Sequence, residues 1–113
     1  MDTSQAIESF SALSQETRLK AFRLLVRHEP EGLPAGEIAR QLEVPHNTMS
    51  AHLSVLSRSG LVLSQRQSRS IIYRANLSHM REAIRFLVRD CCDDHPAICE
   101  PLASFLIDCS TPQ

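Results

Sequence analysis

The segment "HNTMSAHLSVLSRSGLVLSQRQSRSIIYR", residues 46–74, constrains the fold more than any other part of the chain. In its first half Met49, Leu53 and Leu56 recur at i, i+4 and i+7, which places one apolar stripe on an α-helix. The opposite side carries Asn47, Thr48, Ser50, Ala51 and Ser54, all short side chains. After Gly60 the residues become β-prone on both sides of a polar tip, Gln65 to Ser70, which predicts a hairpin from Leu61 to Arg74. A helical period that gives way at once to a strand period requires a helical body with a hairpin at its edge.

The flanking sequence supplies that body. Ile7, Phe10 and Leu13, then Leu19, Phe22, Leu25 and Val26, fall at helical spacing and predict two amphipathic helices broken near Ser14, with Ser14 as cap and Glu16 in the first turn of the second. "HEPEGLP", residues 28–34, ends that helix with two prolines and a glycine. "AGEIARQLEVP" carries Ile38, Ala39 and Leu42 on a short helix stopped before Pro45, so residues 34–58 read as a helix-turn-helix and 61–74 as its wing. "NLSHMREAIRFLVRD" returns to helical spacing through Leu77, Met80, Ile84 and Leu87, and predicts a helix over 77–90. Beyond Pro96, "AICEPLASFLID" reads as a final short helix. With 113 residues the chain has material for one core and too little for two domains. The expected fold class is mostly α with a β-hairpin wing: a single winged helix-turn-helix over residues 1–113.

Charge is unevenly distributed. Residues 40–74 hold 5 basic and 1 acidic side chains, against 4 and 6 in residues 1–39 and 3 and 6 in residues 75–113. A helix with a short polar face can bring its backbone close to base edges in the roughly 12 Å wide major groove. That singles out His46 at the helix entrance, Asn47 as a partner for adenine, Thr48, Ser50, Ala51 and His52 on the helix, and Arg66, Gln67 and Arg69 on the wing, with double-stranded DNA as partner. His52 reads equally well as a phosphate contact or as packing beneath the helix. The competing view of the whole set is an ordinary solvated surface on an α+β domain. No Gly-rich phosphate loop accompanies the chain, and no histidine base is set beside a cysteine by sequence, so an enzyme is not expected.

Three stretches resemble the ArsR/SmtB family of metalloregulatory repressors: "ALSQETRLKAFRLL" its second helix, "TMSAHLSVLSRSGLV" its recognition helix with a Ser-x-His-Leu core, and "RQSRSIIYR" its wing. The likeness covers residues 5–90, and three motifs in order are far more specific than one. A departure is Ser68, where the wing of that family usually turns at glycine. The resemblance implies a homodimeric transcriptional repressor on operator DNA, with the first helix and the 77–90 helix packed against their symmetry mates. The apolar surplus Leu77, Met80, Ile84, Leu87 and Val88 agrees with a twofold interface, the alternative being an intrachain core.

The remaining chemistry lies in "RDCCDDHPAICE", residues 89–100. No stretch of 18 apolar residues or secretory leader pattern is present, so a cytoplasmic location without membrane contact is expected, where thiols stay reduced. Adjacent cysteines suit tetrahedral zinc poorly, whereas three thiolates suit a trivalent, thiophilic metalloid. Cys91, Cys92 and Cys99 are therefore the expected ligands of arsenite, As(III), with antimonite, Sb(III), as the related option and no organic cofactor. Two sites common in the family are missing: "GEIARQLEV" has no cysteine pair, and residues 77–90 contain only His79. What remains resembles the branch with a Cys-Cys pair and a third Cys after the last long helix. His95 reads as a loop residue and Cys109 as a spectator. The expected function is an arsenite-responsive repressor that releases its operator when the three cysteines are occupied; the alternative is a repressor of the same fold responding to thiol oxidation.

Overall fold

The computed structural model describes residues 1–91 and Ala97. Helix α1 (Thr3–Leu13) opens with a capping box in which Asp2 Oδ1 accepts from the Gln5 amide at 2.8 Å and Gln5 Oε1 from the Asp2 amide at 2.9 Å. Helix α2 (Glu16–Arg27) is capped by Gln15, whose Oε1 accepts from the Arg18 amide at 2.8 Å. Ser14 instead closes α1, its Oγ donating to the Ser11 carbonyl at 2.9 Å. The expected break near Ser14 is therefore present, but with the cap one residue later. A short strand β1 (Leu33–Pro34) leads straight into α3 (Ala35–Leu42), which ends at Glu43 in the left-handed region, φ 55°. Helix α4 (His46–Arg58) follows, then β2 (Val62–Gln67) and β3 (Ser70–Ala75).

The hairpin is shifted by one residue and tighter than expected: the ladder runs from Val62↔Ala75 to Gln67↔Ser70, so the polar tip shrinks to Ser68 and Arg69. Ser68 takes φ 55°, the conformation that favours glycine. Strand β1 adds a third, antiparallel member, pairing Leu33 with Tyr73 and Pro34 with Ile72, so β3 is central. A side chain at Gly32 would stand 2.4 Å from the Tyr73 carbonyl oxygen, which explains the glycine just before β1.

The core lies where α2, α3 and α4 meet the base of the wing. Leu25, Ile38, Met49, Leu53, Leu56 and Leu61 are all fully buried, each such side chain contributing about 1.5–3 kcal/mol. Helix α1 departs from its expected stripe. Ala6, Ser9 and Ala12 face inward, while Ile7 is 62% exposed. Small residues at three-residue spacing let α1 lie close to its neighbours. Helix α5 spans Leu77–Arg85, and Phe86–Cys91 widens into a π-helical segment, so the single helix expected over 77–90 is a composite. That segment runs straight on from α5 without a break. Of the short helix expected after Pro96, all but Ala97 lies outside the described residues.

Candidate nucleic-acid interface

Helix α4 is fixed from below by Met49, Leu53 and Leu56, the i, i+4, i+7 stripe read from the sequence. Its outer side presents His46, Asn47, Thr48, Ala51 and Ser54 to solvent, with Ser50 and His52 half-buried. Pro45 precedes the helix without a side-chain cap, so the positive end of α4 opens beside His46 and Asn47. All six expected helix residues thus lie in the first two turns of α4, four of them exposed and two half-buried.

Arg66, Gln67 and Arg69 are exposed at the wing. Among the described residues, neither Arg66 nor Arg69 is engaged by an ion pair. Arg74 differs: its Nε and Nη2 donate to Glu29 Oε1 and Oε2 at 3.1 and 2.8 Å. Those hydrogen bonds, and then the carboxylate charge, hold its guanidinium even more firmly protonated than usual. Arg74 therefore anchors the wing to the loop after α2, while Arg66 near the end of β2 and Arg69 at the turn remain available for an anion.

Two contacts are not legible in the sequence. Arg18 Nε donates to the Ala12 carbonyl at 2.7 Å, and its Nη1 lies 3.4 Å from His52 Nδ1. Ser9 Oγ lies 2.7 Å from His79 Nε2, with Gln5 and Ser59 carbonyls at 3.0 and 3.4 Å. The inward spacing of Ala6, Ser9 and Ala12 is the one trace in the sequence that could flag Ser9 as buried.

Of the expected thiol ligands, Cys91 is the last residue of the π-helical segment, and Cys92 and Cys99 lie outside the described residues, as do His95 and Cys109. Among the described residues no group of His, Cys, Asp or Glu is gathered to hold a metal ion. No helix among them is long and apolar enough to cross a membrane.

A helix-turn-helix with a polar-faced second helix and a basic hairpin beside it defines a DNA-binding regulator of the winged class. A family model described as a helix-turn-helix domain matches residues 13–65. The transcriptional activator HlyU of Vibrio cholerae is 28% identical over 91 residues, covering 80% of this chain and 82% of HlyU. An ArsR-like transcriptional regulator from Rhodococcus sp. RHA1 superposes with a TM-score of 0.69 at 25% identity, over 97% of this chain and 96% of that one. The homodimeric winged helix-turn-helix DNA-binding domain of Mb0332 from Mycobacterium bovis, a possible ArsR-family regulator, gives 0.63 at 27% identity over 81% and 82%. In sequence and fold the chain is thus similar to winged helix-turn-helix transcriptional regulators, ArsR-like ones among them.

Proposed function

We propose that this regulator is an arsenite-responsive repressor that holds operator DNA as a homodimer and releases it when As(III) is taken up by Cys91, Cys92 and Cys99. The observation that carries the DNA-binding part is the exposed polar end of α4 beside two wing arginines that have no ion pair among the described residues. Dimerisation is supported by exposed apolar surface on neighbouring helices: Ile7 of α1 is 62% exposed, Leu77 and Ile84 of α5 and Leu87 just after it are 44%, 36% and 42% exposed, and α5 packs on α1. Mb0332, a homodimer by its description, is a precedent for the same architecture. A twofold dimer would offer two α4 helices to half-sites about 34–36 Å apart.

The thiol set suits trivalent arsenic chemically, because three soft sulfurs fill its three bonding directions. Cys91 is the last residue of the segment that follows α5, so a ligand there would act on the end of the dimer stripe. Linkage requires that DNA weaken metalloid affinity by the same factor that metalloid weakens DNA affinity, typically ~1–3 kcal/mol. Cytoplasmic location, with its reduced thiols, is part of the same reading.

The test is binding to a duplex selected by the wild-type protein from a random-sequence pool, at fixed salt, with and without arsenite, for wild type and for Cys91→Ser, Cys92→Ser and Cys99→Ser. Each variant should bind the duplex and lose the response. Response retained in all three would remove the proposed site, and release by peroxide but not arsenite would point to thiol oxidation instead. HlyU is described as an activator, so a promoter reporter must rise, not fall, on deletion of this chain.

A further inference from the structure

Arg18 belongs to α2 and His52 to the DNA-facing helix, 34 positions apart in sequence, yet their side chains meet. The arginine is not a loose surface cation. Its Nε donates at 2.7 Å to the Ala12 carbonyl, one of the last carbonyls of α1, which have no partner within their own helix. Fixing Nε fixes the planar fork, and Nη1 then lies 3.4 Å from His52 Nδ1. Arginine carries donors only and does not deprotonate in proteins, so the atom it meets on the imidazole must offer a lone pair. In the neutral ring that puts the proton on Nε2. His52 is half-buried, one helical turn after the exposed Thr48 and next to the exposed Ala51, at the margin of the surface assigned to DNA. A phosphate oxygen accepts and cannot donate, so the ring is useful there only with a hydrogen on Nε2.

We propose that Arg18 is a positioning residue for DNA binding: by donating to His52 Nδ1 it holds the imidazole in the Nε2–H form, ready to donate to a phosphate oxygen. The inference rests on the DNA-binding reading above and adds a residue from outside the helix-turn-helix to it. The orphan carbonyl of α1 anchors Arg18, so the arrangement also ties the exit of the first helix to the reading surface.

Two measurements test it. Nitrogen NMR of free wild-type protein, at a pH where the His52 signals are those of a neutral ring, should show His52 Nδ1 as the unprotonated nitrogen. A protonated Nδ1 overturns the proposal, with no variant needed. The second is a double-mutant cycle on the affinity for the selected duplex, with thermal melting to confirm folding. Arg18→Gln and His52→Ala should each weaken binding about tenfold, and the pair together about tenfold rather than hundredfold, because one acts through the other. Fully additive losses mean that Arg18 contributes structure alone, and overturn the proposal. Arg18→Lys, which keeps the charge but not the fork, should resemble Arg18→Gln. The outcomes separate the two readings: failure of wild type to bind any duplex removes the DNA-binding reading, whereas the nitrogen spectrum judges the Arg18–His52 contact without DNA.

Discussion

Gly60 lies between the end of α4 and the wing, and its replacement by alanine has a cost that follows from two separable features. Its φ is +90°, and a Cβ there would stand 2.7 Å from Cε1 and 2.9 Å from Nδ1 of His79. The backbone share, an L-residue in the left-handed region, is about 1–2 kcal/mol. The steric share depends on whether the imidazole can yield. Its Nε2 is 2.7 Å from the buried Ser9 Oγ, and its own amide donates to Asn76 Oδ1 at 3.3 Å, so the ring moves only by giving up the serine. Losing that bond costs about 1 kcal/mol net, the serine hydroxyl keeping the Gln5 carbonyl. The Gly60→Ala variant should therefore be less stable by about 2–3 kcal/mol, a large fraction of the ~5–15 kcal/mol of an ordinary domain. Urea denaturation of wild type, Gly60→Ala, His79→Ala and the double variant measures both shares. With the ring removed, the alanine should cost only its backbone share of about 1–2 kcal/mol. An equal penalty in both backgrounds would refute the steric argument, and one below about 0.5 kcal/mol would refute the backbone argument as well.

Three further outcomes are expected. Arg66→Ala and Arg69→Ala should each weaken binding to all duplexes alike and lower the slope of log K against log salt by about 1 for each phosphate no longer neutralised, as titration at several salt concentrations would show. Ser68→Gly relieves a φ of 55° at the wing turn and should raise stability by about 0.5 kcal/mol in urea, whereas Ser68→Val should lower it by about 1 kcal/mol. The Glu37 carboxyl is held below its ordinary 4.5 by hydrogen bonds from Arg40 and then Gln41. Its stabilising share is thus present above 4.5 and lost as pH falls through the lower folded value. Acid titration of Glu37→Gln should lack that part of the pH dependence, and an unchanged acid limb would show that this exposed cluster contributes nothing.

Legibility follows the kind of force involved. The stripe Met49, Leu53, Leu56 is readable because burial against the chain's own core repeats with the helix, and the polar end of α4 follows as its complement. On α1 the same rule selects Ile7, Phe10 and Leu13, yet Ala6, Ser9 and Ala12 face inward. Periodicity reports which residues favour burial, yet Phe10 and Leu13 are only half-buried and Ile7 is left exposed within the single chain. The hairpin is readable but its turn is narrower than the polar tip suggests, since Gln65 to Ser70 are polar while the ladder continues through Gln67 and Ser70; pairing of backbone groups is indifferent to side-chain polarity at an edge. No proline or glycine marks Phe86–Cys91, so the π-helical widening leaves no trace. Neither Arg18–His52 nor Ser9–His79 can be read, because a polar contact between distant positions follows from the fold and has no local pattern.

Strand β1 is only two residues long, but it joins the hairpin to the residue from which α3 starts. Its pairing with Tyr73 and Ile72 and the Glu29–Arg74 clamp attach the wing to the body at both ends of one loop. Wing and α4 are thus joined as parts of a single block through β1 and the Glu29–Arg74 pair. In the dimer proposed above, an effector that loosens such a block from its target would act on the gap between two blocks, as one resets a caliper.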